Sequence, residues 1–172
     1  MIRLRAPPPA CQPRPVIDTQ ELLDATARHP LPPEYVCSAD PGRFDADLVH
    51  HWLSTDAYWA LGRTREAQAQ MLDGSLVYGA YEKESGAQVG CARVVTDLAA
   101  FAYLCDVYIA PGARGRGLGT SFVAAVLADV AGRAPHGVRR VLLATDDAHG
   151  VYAKLGFTPL PHPEQWMVLG NS

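Results

Sequence analysis

The sequence predicts a mixed α/β fold, with one sheet that starts as an antiparallel meander, continues through strand–helix–strand units and carries helices on its faces. Three observations lead there. Strand-like runs at 75–82, 87–97 and 101–110 follow one another across short links, the first link being the hairpin-like 83–86. Segment 118–131 then changes period, with Leu118, Phe122, Val126 and Val130 four apart and Val123 and Leu127 beside them. A strand-like 137–145, a short helical 147–157 and a last strand-like 165–170 complete the order.

The elements before the meander follow local signals. Residues 1–33 hold eight of the 14 prolines, which remove backbone donors and fix φ, so this arm is expected to be largely irregular. Within it 18–28 reads as a short helix with Asp18 as cap and Glu21 three residues on, either packed on the domain or loose. The compact domain is expected over 34–172. It opens with a short strand at 34–38 and a helix at 44–54 that lines up Phe44, Leu48, Val49, Trp52 and Leu53. A loop at 54–63 leads to a helix at 64–72 capped by Thr64.

Bulk properties exclude several classes. A chain of 172 residues with 48% hydrophobic and 19% charged residues is enough for one domain with a real core. The net charge of −3 offers no basic field for nucleic acid. No apolar run approaches the roughly 20 residues of a membrane helix. The N-terminus lacks the apolar stretch of a secretory signal, so a cytoplasmic location is expected. Cys11, Cys37, Cys91 and Cys105 form no C-x-x-C pair, which argues for free thiols and against a metal centre.

Chemistry concentrates at 110–122, "APGARGRGLGTSF". Pro111 ends a strand, Gly115, Gly117 and Gly119 open backbone conformations closed to other residues, and a helix begins near Gly117. The first amides of a helix lack internal partners and meet the positive end of its dipole, so the turn is a cradle for an anion such as phosphate. Arg114 and Arg116 add charge-assisted bonds. The spacing is neither the dinucleotide G-x-G-x-x-G nor the phosphate-binding loop that ends in Gly-Lys-Ser/Thr. On the glycines alone, a tight strand-to-helix turn with solvated arginines stays open.

The stretch also resembles the acetyl-CoA motif of the GCN5-related N-acetyltransferases, an apolar strand end followed by Arg/Gln-x-x-Gly-x-Gly/Ala, with Arg114, Gly117 and Gly119 in those places. Residues 148–157 resemble the family's second signature through Ala148, Tyr152, Lys154, Gly156 and Phe157. The resemblance covers roughly residues 34–170 and implies a splayed sheet with acetyl-CoA wedged between two strands. It implies that the backbone of Val107, Tyr108 and Ile109 holds the pantetheine arm. Amides of Arg114, Gly115, Arg116, Gly117, Leu118, Gly119 and Thr120 would hold the pyrophosphate, with Tyr152 near the thioester sulfur as general acid. The family often carries an Asn where Thr145 stands, so Thr145 is the candidate for that contact. A possible homodimer through an edge strand is implied in the same way.

The base and the acceptor pocket are less sharply marked. A catalytic Glu of several family members falls by register on Tyr103, a poor base at neutral pH. Asp106, expected on the opposite face from Tyr103 by strand alternation, can orient a water, bind the amine or be structural. Asp146 or Asp147 is expected to cap the helix that carries Tyr152. The resemblance puts the acceptor pocket at 54–63, with Tyr58 and Trp59 at its rim and Phe101 and Tyr103 at its floor. Asp97 and Asp106 would attract a cation, suiting a small-molecule amine. The expected activity is acetyl transfer from acetyl-CoA to a primary amine. An acyl-CoA sensor and a transferase acting on protein amines are the alternatives.

Overall fold

A computed structural model describes residues 19–170. The sheet has five strands in the order β1 (Tyr35–Ser38), β2 (Leu76–Glu82), β3 (Gln88–Thr96), β4 (Ala102–Ile109) and β5 (Val141–Leu142). The first four are antiparallel neighbours, and β5 joins β4 in parallel. This is the meander-then-crossover order expected from the change of hydrophobic period.

Local chemistry sets the helices. Asp45 caps α2 (Ala46–Thr55) by accepting the Leu48 amide at 2.9 Å. Thr64 caps α3 (Arg65–Asp73) by accepting the Ala67 amide at 3.2 Å. α1 (Thr19–Arg28) packs on the central helix α4 (Leu118–Arg133), where Thr26 Oγ1 donates to the Ala124 carbonyl at 3.0 Å. The Asp18 cap lies outside the described residues.

The main core lies between the sheet and α4, where Phe122, Val126 and Val130 meet Tyr78, Val94 and Leu104. A second cluster on the other face joins Val49 and Leu53 of α2 to Cys91 and Tyr108, with Trp52 stacked on Tyr108 at 5.4 Å. Tyr108 of β4 faces this second cluster, whereas Ala102 and Leu104 face α4. The change of side comes from a bulge. Arg93 pairs with Cys105 but Cys91 pairs with Tyr108, so β4 carries one residue too many, and Asp106 takes φ +51°. An extra residue in one strand inverts the alternation beyond it.

Two expectations of strand are corrected. Of 137–145 only Val141 and Leu142 pair, because the β4–β5 ladder stops at Tyr103–Leu142 and the two chains then diverge. Segment 165–170 is not a strand. Pro159, Pro161 and Pro163 precede it and remove donors, a 3-10 turn occupies Pro163–Gln165, and Met167 and Leu169 are 98% and 104% exposed. Among the described residues no helix is long and apolar enough to cross a membrane.

Candidate active site

The fork between β4 and β5 creates a cleft. Beyond Tyr103 the β5 side of β4 has no strand partner. The Ala110 amide donates to Val89 on β3, so by alternation the backbone groups of Val107 and Ile109 face the open side, whereas those of Tyr108 face β3. Val107, Tyr108, Ile109, Ala144, Thr145, Ala148 and Tyr152 line a cavity of about 600 Å³ here, together with Tyr58, Trp59 and Tyr103.

One end of the fork is the glycine turn. Gly115 and Gly117 take φ +80° and +78°, which only glycine adopts without strain, and a Cβ on either would meet no atom within 4 Å. Gly117 is the N-cap of α4 and brings no side chain, so the leading amides of the helix face open space. Arg114 is half exposed. Its Nε donates to the Ile109 carbonyl at 2.7 Å, its Nη2 donates to Asp56 at 3.1 Å, and its guanidinium lies 5.1 Å from the Tyr108 ring centre. Arg116 is exposed.

Tyr152 stands on α5 (His149–Ala153), edge-on to Phe157 at 5.8 Å. Burial, then the charge of Asp147 and the neighbouring Tyr58, push its hydroxyl up to about 12, so it stays protonated at neutral pH. Neither Asp146 nor Asp147 caps α5. Ala148 is the N-cap residue, and its amide donates to Thr145 Oγ1 at 3.1 Å. The Asp146 amide donates instead to Tyr58 Oη at 3.1 Å, which ties the loop before α5 to the 3-10 turn Tyr58–Ala60.

The bulge brings Asp106 into the cavity that Tyr103 lines, which corrects its expected placement on the opposite face. Its carboxylate is 5% exposed and fully engaged. Arg63 forks onto both oxygens at 3.0 and 3.1 Å, and Arg93 Nε donates at 2.8 Å. Burial works against its ionisation, but the two guanidiniums prevail and hold the carboxyl below the usual range. Burial pushes the Cys105 thiol up to about 11, so at neutral pH it is not a thiolate.

Asp97 and Phe101 do not join the cavity. They sit in the β3–β4 turn, where Asp97 Oδ1 accepts the amides of Ala99, Ala100 and Phe101. Arg93 went unmarked in the sequence, and Asp56 and Arg63 were marked only as part of the 54–63 segment. An Arg inside the apolar run of β3 was the available signal for Arg93, since a charge is rarely buried without a partner. Among the described residues no group of three or more metal-ligating side chains gathers.

Residues 46–157 match the model of the acetyltransferase (GNAT) family. The chain belongs to the GNAT family. It is similar to the Gibberella zeae protein named "Putative acetyltransferase FG08082", at 32% identity over 138 residues, 70% of this chain and 77% of the relative. A crystal structure of a GNAT-family protein from Xanthomonas campestris pv. campestris aligns with TM-score 0.72 at 39% identity, covering 81% of this chain and 94% of that one. One from Deinococcus radiodurans R1 aligns with TM-score 0.60 at 18% identity, over 80% and 89% of the two chains, and shares the fold. This GNAT chain is therefore an N-acetyltransferase, and its forked sheet is the family's sheet.

Proposed function

We propose that the protein moves the acetyl group of acetyl-CoA to the primary amine of a small molecule, by direct attack and with Tyr152 as general acid. The observation that carries this is the fork, with an open strand edge along one wall, a bare helix N-terminus at one end and a half-buried, protonated tyrosine inside. These features fit a long cofactor with an amide-rich arm and a pyrophosphate. Val107 and Ile109 would pair with the arm as a strand would. The leading amides of α4, with Arg114 and Arg116, would hold the pyrophosphate. Bound acetyl-CoA supplies an activated thioester.

The chain's own groups then divide the work. A backbone N–H on the open edge of β4 donates toward the carbonyl oxygen as charge develops there. Tyr152 Oη provides a proton at the leaving side. Cys105 stays a thiol, which supports transfer without a covalent enzyme intermediate. In this reading Asp106 is scaffold for the arginines rather than the base, because both its oxygens are committed.

The test is thiol release from acetyl-CoA across a panel of small amines. Amine-dependent release is expected. Calorimetric binding of acetyl-CoA with no release from any amine would sink the small-molecule reading. The cradle has its own test. Gly117→Val forces a branched side chain into a left-handed conformation at the mouth of the turn. It is expected to weaken acetyl-CoA binding by about tenfold or more, the worth of one charge-assisted hydrogen bond. Unchanged affinity would remove the pyrophosphate from this turn.

A further inference from the structure

We infer that the acceptor amine carries an oxyanion, a carboxylate or a phosphate, seated on Arg93 and Arg63 at the floor of the cavity. The inference rests on the transferase reading above and names its substrate class. Two guanidiniums and one carboxylate are buried together, with side-chain exposures of 12%, 11% and 5% for Arg63, Arg93 and Asp106. The group therefore holds one positive charge in excess where water is scarce, and such a charge calls for a counterion.

Donor capacity points the same way. Arg93 spends Nε on Asp106 and one Nη1 hydrogen on Ser75 Oγ at 3.0 Å, while its Nη2 donates to nothing among the described residues. Arg63 spends Nη1 on Gln68 and Asp106 and one Nη2 hydrogen on Asp106, leaving Nε without a partner among them. A guanidinium with spare N–H groups in a fixed fork is suited to a planar or tetrahedral oxyanion.

The remaining acids do not cancel this charge. Asp56 is held by Arg114 and by the Tyr108 hydroxyl, and Asp147 lines the cavity on the Tyr152 side. An anion at the floor and an amine turned toward Tyr152 match this polarity, and Tyr58, Trp59 and Tyr103 line the same cavity. The expected recruitment of a cation by Asp97 and Asp106 is thus reversed. Asp97 lies elsewhere, and Asp106 is outnumbered.

Two readouts on the full chain test this. In the first, the protein with coenzyme A bound is titrated calorimetrically with N-acetyl-β-alanine and with its neutral amide. The acid is expected to bind at least about tenfold more tightly, as a charge-assisted hydrogen bond provides. In the second, thiol release is compared for β-alanine against β-alaninamide and for O-phosphoethanolamine against ethanolamine. The pair with the larger ratio identifies the oxyanion.

Arg93→Met is expected to bring the acid-to-amide ratio close to one. Arg93→Lys keeps a charge on Asp106 but loses the spare fork, and is expected to lower the ratio too if the Met variant does not fold. Equal binding of acid and amide by the unaltered protein, together with equal release from O-phosphoethanolamine and ethanolamine, would overturn the inference, as would an unchanged ratio in Arg93→Lys. Tight acid binding without release from any amine would uphold the anion seat and sink the transfer to small amines. Release from neutral amines with no preference for the acids would do the reverse.

Discussion

Tyr152→Phe is expected to lower kcat about 100-fold, the scale of a positioned general acid, while acetyl-CoA binds as before. The substitution removes one oxygen and leaves the ring against Phe157, so the wall of the cleft stays filled. The pH profile carries no limb from this residue. Burial, Asp147 and Tyr58 push the hydroxyl up to about 12, so the group keeps its proton throughout the working range of the protein. The unaltered enzyme is expected to show no alkaline fall from this residue, and its rate should rise with pH as the acceptor amine loses its own proton. Steady-state kinetics with calorimetry on the same variant decides the matter. An unchanged kcat would remove Tyr152 from the chemistry, and a parallel loss of cofactor binding would make it a wall of the cleft only.

Asp106→Asn should give the largest change in stability, a loss of about 3–5 kcal/mol, because it leaves two buried guanidiniums facing a neutral partner. For a domain of this size that is roughly a 10 °C fall in Tm. Asn is the informative replacement. It tolerates the left-handed backbone that Asp106 adopts at φ +51°, so the change tests charge rather than strain. The acid limb carries a second signature. The folded-state pKa of Asp106 lies below its unfolded value, so its contribution is complete above the unfolded pKa of about 3.9 and disappears as pH falls through the lower folded value. Urea unfolding from neutral pH downward should show this loss in the unaltered protein and not in the variant. A neutral-pH stability equal to that of the unaltered protein would mean that the arginines find other compensation.

The parts of the fold legible in the sequence were those written in local chemistry. Thr64 announces a helix start because a cap needs only its own next turn, and the α4 stripe is readable because its period is internal to the helix. The glycine turn was legible for the same reason. The bulge was not, since strand alternation carries no mark of a skipped residue. Only the pairing of Cys91 with Tyr108 reveals it, and that depends on residues far apart in the chain. The reach of β5 was misjudged because an apolar run reports burial and not pairing. Asp106 was singled out in the sequence, but its contacts depend on Arg63 and Arg93, 43 and 13 residues away, whose convergence no local pattern records.

The bond from the Asp146 amide to Tyr58 Oη links two walls of the cavity. In the proposed function Tyr58 stands on the acceptor side, and Asp146, in the loop before α5, on the cofactor side. With β5 only two residues long, little ladder holds that loop in register, and this cross-strut adds a tie beyond the ladder. Free energies of binding are linked reciprocally, and whatever factor the filled cofactor cleft applies to acceptor affinity through this strut, the acceptor returns in full. Under the proposed function the two guests are then expected to be coupled thermodynamically, with the width of one chamber a variable of the other.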